Sequence, residues 1–194
     1  MLDLPFTRMH DMEYNVMESR LMGRFEFKAA TSLLFFLKNG KVQRMMHQLK
    51  YEQNQDIGRL MGRMLADQLR ESERFREIDH VVPVPLHPRK QKIRGFNQSI
   101  TIAEGMVDRG YLLLPKALKR LHDNMSQTRK SMSERWENVK NIFELDNAGH
   151  LRGKKILLLD DVLTTGATLE ACSQAMKGIE GLELYVATIA CAEY

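Results

Sequence analysis

The order of apolar and polar positions changes character near residue 76. Before it, Ala30, Leu33, Leu34, Leu37, Met45, Met46 and Leu49 recur at three- and four-residue steps, the period of one helix face. Asn39-Gly40 interrupts that run and predicts two helices rather than one. A further helix is expected over 56–70, with Ile57, Leu60, Met61, Met64, Leu65 and Leu69 on one face. Residues 1–25 are weakly patterned.

Beyond residue 76, short apolar runs alternate with helical periods. Residues 78–86 read as a buried, valine-rich strand ending in a proline-containing loop, and 97–107 as a helix capped by Asn97. Short strands are expected over 117–121 and 142–145. The polar stretch between them, 122–141, carries Ser131-x-x-Glu134, a capping-box signal for a short helix. Residues 155–159 form the clearest strand, followed by a helix over about 168–177 and a closing strand over 184–190. This alternation predicts an α/β fold with a mainly parallel sheet flanked by helices. Ligands in such sheets bind beyond the carboxyl ends of the strands, so the residues after Leu86 and Leu159 are the first to inspect.

After Leu159 the chain reads Asp160-Asp161-Val162-Leu163-Thr164-Thr165-Gly166-Ala167-Thr168. Adjacent carboxylates repel each other and need compensation. Vicinal ribose hydroxyls would use them as hydrogen-bond acceptors, and a Mg²⁺ nearby would offset their charge. The Thr/Gly turn can present backbone N–H groups at a helix N-terminus, a natural phosphate seat. Together these describe a 5-phosphoribosyl site. The plainer alternative is a strand, an acidic turn and a capping threonine with no ligand. After Leu86, Arg89, Lys90, Lys92 and Arg94 put four cations within six positions, just before Gly95. Such a cluster suits a polyanionic ligand, a solvated loop or nucleic-acid phosphates.

The segment 160–168, with its preceding aliphatic strand and following helix, resembles the signature of type I phosphoribosyltransferases, which bind 5-phosphoribosyl pyrophosphate (PRPP). Leu49-Lys50-Tyr51, Val82-Pro-Val-Pro-Leu-His-Pro88, Arg94-Gly-Phe-Asn-Gln98, Ser126-Gln-Thr128 and Glu134-Arg135 through Asn138-Val139 occur in order. With the PRPP motif they resemble the ComF family of competence-associated, amidophosphoribosyltransferase-like proteins. The resemblance implies the type I fold in one domain over 1–194, with a mainly helical hood at 1–75 and an α/β core at 76–194. It implies a pentosyltransferase that moves the phosphoribosyl group to a nitrogen acceptor and releases pyrophosphate. It also leaves room for a non-catalytic PRPP-binding or DNA-uptake module.

By the same resemblance, Asp160, Asp161 and Arg94 are the catalytic candidates, and Asp160 through Thr168 bind PRPP. Arg89, Lys90, Lys92, Arg94 and Gly95 receive its pyrophosphate. Ser126, Gln127, Thr128, Arg129, Lys130 and Arg135 belong to a mobile loop that closes over the site; an ordinary surface helix with Trp136 packed inward is the competing reading. Mg²⁺ is expected to arrive with PRPP rather than on protein ligands. Possible partners are a nitrogen acceptor, a second copy of the chain and the DNA-uptake machinery. Thr164 stands where purine-salvage members carry an acidic residue, which argues against a hypoxanthine or guanine transferase. Neither a nucleophilic N-terminal cysteine nor a glutaminase domain is present, so a glutamine-dependent amidotransferase is not expected.

Composition narrows the picture further. The 194 residues are 43% hydrophobic and 28% charged, with two cysteines and a net charge of +4. At roughly 150 residues per domain one domain is expected, and disorder, a collagen-like chain and a disulfide scaffold are excluded. Cys172 and Cys191 lack metal-ligand spacing. The zinc ribbon common at the start of ComF proteins is therefore not expected, and Cys172 reads as a small core residue. No signal peptide or membrane span is visible, which suggests a reduced, cytoplasmic protein. Gly149 to Lys155 superficially resembles a phosphate-binding Walker loop, but its spacing and the following strand are wrong for one.

Overall fold

The computed structural model describes residues 3–121 and 142–192. Five parallel strands form the central sheet in the order β1-β7-β6-β2-β3: β1 Ala29–Phe36, β2 His80–Pro83, β3 Leu112–Leu113, β6 Lys155–Leu163 and β7 Glu183–Ala192. A separate antiparallel ribbon pairs β4 Leu118–Arg120 with β5 Phe143–Leu145. The helices among the described residues are α1 Val16–Leu21, α2 Lys41–Tyr51, α3 Gln55–Glu71, α4 Pro88–Arg94, α5 Gln98–Val107 and α6 Ala167–Ala175.

Strand alternation builds two cores. On β6, Leu157 and Leu159 face a layer that holds Met46, Leu49, Met61, Leu65 and Ile102 from α2, α3 and α5. Ile156 and Leu158 face the opposite layer, with Leu21, Leu169, Cys172 and Phe143 from α1, α6 and the ribbon. A strand covered on both faces carries a near-continuous apolar run rather than an alternation, as Ile156 to Leu159 does.

That property accounts for one corrected expectation. The helix predicted through Ala30, Leu33, Leu34 and Leu37 is instead strand β1, paired in parallel with β7 from Ala29↔Tyr185 to Phe36↔Ala192. A doubly buried strand places apolar residues at helical spacings by chance, and periodicity alone does not separate the two. Its outer edge is covered by the N-terminal segment, where Phe35 N donates to Pro5 O at 2.8 Å and Thr7 N to Leu33 O at 3.1 Å. Covering an edge in this way blocks pairing with foreign strands.

The long helix α3 packs on α5 through small residues. A Cβ at Gly62 would fall 1.9 Å from Ile102 O, and one at Gly105 2.1 Å from Arg59 O. The buried face of α3 accordingly includes Gly58, Gly62 and Ala66 beside Met61, Leu65 and Leu69. Leu60, expected inside, is among the exposed apolar residues. Two further elements differ from expectation. The cationic loop after Leu86 is the short helix α4, and β6 continues past Leu159 to Leu163, so both aspartates lie within the strand.

Candidate functional site

A cavity of about 540 Å³ opens where β2 leaves β6. The ladder between them ends at Pro83↔Leu159, followed by one more hydrogen bond from Val84 N to Leu159 O. Beyond that point β6 keeps only β7 as a neighbour, through Asp160↔Thr188 and Val162↔Ala190. Val84, Pro85 and Leu86 swing away, and the gap is the cavity. Its size suits a small polar ligand.

Asp160 and Asp161 line this gap and are handled differently. Asp160 Oδ1 accepts from the backbone N–H of Asp161 at 2.8 Å and from the Ser99 hydroxyl at 3.3 Å. Burial and the neighbouring Asp161 carboxylate push its pKa from 3.8 up to about 7. Asp161 forms an ion pair with Lys50 Nζ at 2.8 Å, both side chains being mostly buried. Directly after the strand, Thr164 and Thr165 are exposed and Gly166 turns into α6 with φ +79°. Only glycine adopts that conformation readily. The turn is held from beneath by Arg24, which donates to Thr165 O and pairs with Glu170 Oε2 at 2.6 Å. A Cβ at Gly166 would come within 2.8 Å of Leu21 Cδ2 and 2.9 Å of Arg24 Nη1.

Across the cavity, α4 starts on Pro88, with the His87 side chain accepting from Arg89 N, and ends at Gly95 with φ +83°. Its four-residue spacing puts Lys90 and Arg94 on the cavity face. Arg89, Lys92 and Gly95 are exposed and do not line it. Asn97 caps α5 through Ser99 N, as expected, and its amide donates to Val84 O at 3.0 Å. Of the PRPP-motif candidates, Asp160, Asp161, Val162, Thr164 and Thr168 line the cavity. Leu163 is buried in the core, Thr165 and Gly166 form the turn, and Ala167 is the first residue of α6. Ser126, Gln127, Thr128, Arg129, Lys130, Arg135 and Trp136 lie outside the described residues, as does Ser131-x-x-Glu134.

Lys50, Ser99, Gln98, Arg24 and Arg120 had no assigned site role. Lys50 enters from α2, Arg120 from the ribbon, and both line the cavity. Lys50, Lys90, Arg94 and Arg120 therefore face two carboxylates. The excess of cations favours a polyanionic ligand. Cys172 lies fully buried, and burial raises its thiol pKa well above the ordinary value, consistent with a packing role.

A parallel α/β sheet with paired carboxylates at the end of one strand, a Thr/Gly turn into a helix and a cation-rich wall defines a phosphoribosyltransferase-type protein. The phosphoribosyl transferase domain family matches residues 90–192, more than half of the chain, and the chain belongs to that family. It is 27% identical over 150 residues to Competence protein F of Haemophilus influenzae, covering 73% of this chain and 65% of that protein. It is 29% identical over 136 residues to DNA utilization protein YhgH of Salmonella typhimurium, covering 68% and 59%. Competence protein ComFC of Streptococcus pneumoniae is 29% identical over 143 residues, covering 73% and 60%. The chain thus spans about three fifths of the length of these relatives. Among solved structures, one titled as the allosteric regulatory enzyme of purine biosynthesis aligns with a TM-score of 0.48 at 22% identity, covering 68% of this chain and 25% of that one. No helix among the described residues is long and apolar enough to cross a membrane.

Proposed function

We propose that the chain binds PRPP and transfers its phosphoribosyl group to a nitrogen acceptor, releasing pyrophosphate. The observation that carries this reading is the single cavity that joins Asp160 and Asp161 at one wall to Lys90 and Arg94 at the other. Asp160 and Asp161 accept from the ribose hydroxyls, and the turn at 164–168 takes the 5-phosphate at the start of α6. Lys90 and Arg94 hold the pyrophosphate. As the C1–oxygen bond to pyrophosphate breaks and the C1–nitrogen bond forms, charge grows on the leaving oxygens, and cations already fixed beside them stabilise it. The acceptor nitrogen loses its proton after attack, to the departing pyrophosphate or to water. Positioning and electrostatics supply the rate, since no covalent step on the protein is required.

Mg²⁺ bound to the ligand's own oxygens would further neutralise the diphosphate. Lys50 Nζ already pairs with Asp161 at 2.8 Å, so the divalent cation is expected to come with PRPP rather than on these carboxylates. Among the described residues no cluster of three His, Cys, Asp or Glu side chains is arranged to ligate a metal.

The curated relatives named for competence and DNA utilization favour a second reading: the same site serves as a PRPP-responsive module in DNA handling, without turnover. Pyrophosphate release, measured with PRPP, Mg²⁺ and a panel of amines and nitrogen heterocycles, separates the two. Release above the acceptor-free rate supports transfer, and PRPP binding with no release supports the module. For the subsites, Arg94→Ala is expected to weaken PRPP binding and spare ribose 5-phosphate. Equal loss for both ligands would refute the pyrophosphate assignment.

A further inference from the structure

Gln98, the first residue of α5, is only 2% exposed, yet it lines the cavity. Its Oε1 accepts from Arg94 Nη1 at 3.0 Å. A guanidinium can only donate, so this bond fixes the amide's orientation and leaves Nε2 as the unpartnered group. Among the described residues Nε2 has no hydrogen-bond partner. Buried donors are nearly always paired, and one that is not stands ready for something that arrives.

What arrives must be an acceptor, and the surroundings select its charge. Gln98 occupies the N-terminus of a ten-residue helix, capped by Asn97, where the helix dipole favours anions. Arg94 is bonded to it, and Lys90 shares the cavity. Its neighbour Ser99 is already committed to the Asp160 carboxylate. The two residues therefore differ: Ser99 is bonded to the Asp160 carboxylate, and Gln98 keeps an unpartnered donor next to Arg94 of the cationic wall. A hydroxyl ligand would be served by the carboxylates. A donor beside a guanidinium is suited to an oxyanion.

We propose that Gln98 is a ligand-contacting residue whose side-chain amide donates to a pyrophosphate oxygen of PRPP, acting as one unit with Arg94. This deepens the proposed function and rests on it. Gln98 holds one nitrogen of the guanidinium, and the rest of the guanidinium meets the diphosphate beside the unpartnered amide. The pair thus distinguishes a diphosphate from a bare sugar phosphate.

Two substitutions test the proposal. Gln98→Met keeps the volume and removes both polar atoms. Gln98→Glu keeps an acceptor for Arg94 and replaces the donor with an anion. Dissociation constants are measured by calorimetry for PRPP, pyrophosphate and ribose 5-phosphate, each with Mg²⁺, and thermal melting confirms that both variants fold. Q98M is expected to bind PRPP and pyrophosphate about tenfold more weakly, and Q98E about a hundredfold more weakly. Ribose 5-phosphate should stay within about twofold for both variants. Parallel loss of all three ligands would make Gln98 a general support of the cavity and overturn the proposal. Unchanged binding of all three would do the same, assigning the donor to solvent. A wild-type chain that binds neither PRPP nor pyrophosphate would defeat the proposed function itself, a result visible before either variant is measured.

Discussion

Replacing Asp160 with asparagine removes a half-buried ionisable group while keeping an oxygen for the Asp161 N–H and the Ser99 hydroxyl. The folded chain holds the Asp160 proton up to a pH of about 7, whereas an ordinary aspartate releases it near 3.8. Below 3.8 both states carry the proton, and the group has no effect on stability. Between the two values only the folded state binds it, so stability falls as pH rises, by about 1.4 kcal/mol per pH unit. Above about 7 the loss is complete, with an upper bound of about 4 kcal/mol. Relaxation around the site and the nearby Lys50 reduce this, and half of it, about 2 kcal/mol, is the working figure. For a chain of this size that corresponds to a melting temperature about 4–8 °C higher in Asp160→Asn at pH 8. At pH 4 the two proteins should melt nearly together. Thermal melts of both, in one low-salt buffer series from pH 4 to 8, check it. A gap that does not change with pH would refute the reasoning, because it would place the effect in packing rather than in a proton.

Other outcomes follow from contacts elsewhere in the fold. Lys50→Met should cost about 1–3 kcal/mol by leaving Asp161 without its 2.8 Å partner. The cost should largely vanish in the Lys50→Met/Asp161→Asn double variant, as a double-mutant cycle by chemical denaturation will register. Gly62→Ala should prevent folding or cost more than about 3 kcal/mol, since its Cβ would overlap Ile102 O at 1.9 Å; circular dichroism and the denaturation midpoint report it. Gly166→Ala should cost about 2 kcal/mol or more through its positive φ and the crowding by Leu21 and Arg24. It should also weaken ribose 5-phosphate binding several-fold in a calorimetric titration.

The parts of the molecule legible in the sequence are those decided locally. Four consecutive aliphatics before Asp160 announce a buried strand, and the Thr/Gly turn announces the helix behind it. Asn97 signals the start of α5 by its own side chain. What stayed hidden depends on contacts between distant segments. The strand β1 looks helical because both its faces are buried, and its nature is settled by pairing with β7, more than 150 residues away. Lys50 reaches Asp161 only because α2 packs beside β1, and Arg120 arrives on a ribbon closed by residues 143–145. The helix α4 did carry a local signal: His87 before Pro88 is a cap followed by a proline at the first helical position. The density of cations over 89–94 masks it, because such a run is equally typical of a solvated loop. Recognising α4 as a helix also sorts its cations, since Lys90 and Arg94 share one face while Arg89 and Lys92 point elsewhere.

The most direct test of the central claim is a calorimetric titration of the wild-type chain with PRPP and Mg²⁺, with ribose 5-phosphate titrated in parallel. The account predicts saturable binding of both, with PRPP at least about tenfold tighter because only PRPP engages the Lys90 and Arg94 wall. Equal affinity for the two ligands would contradict the pyrophosphate subsite, and binding of neither would contradict the phosphoribosyl site as a whole.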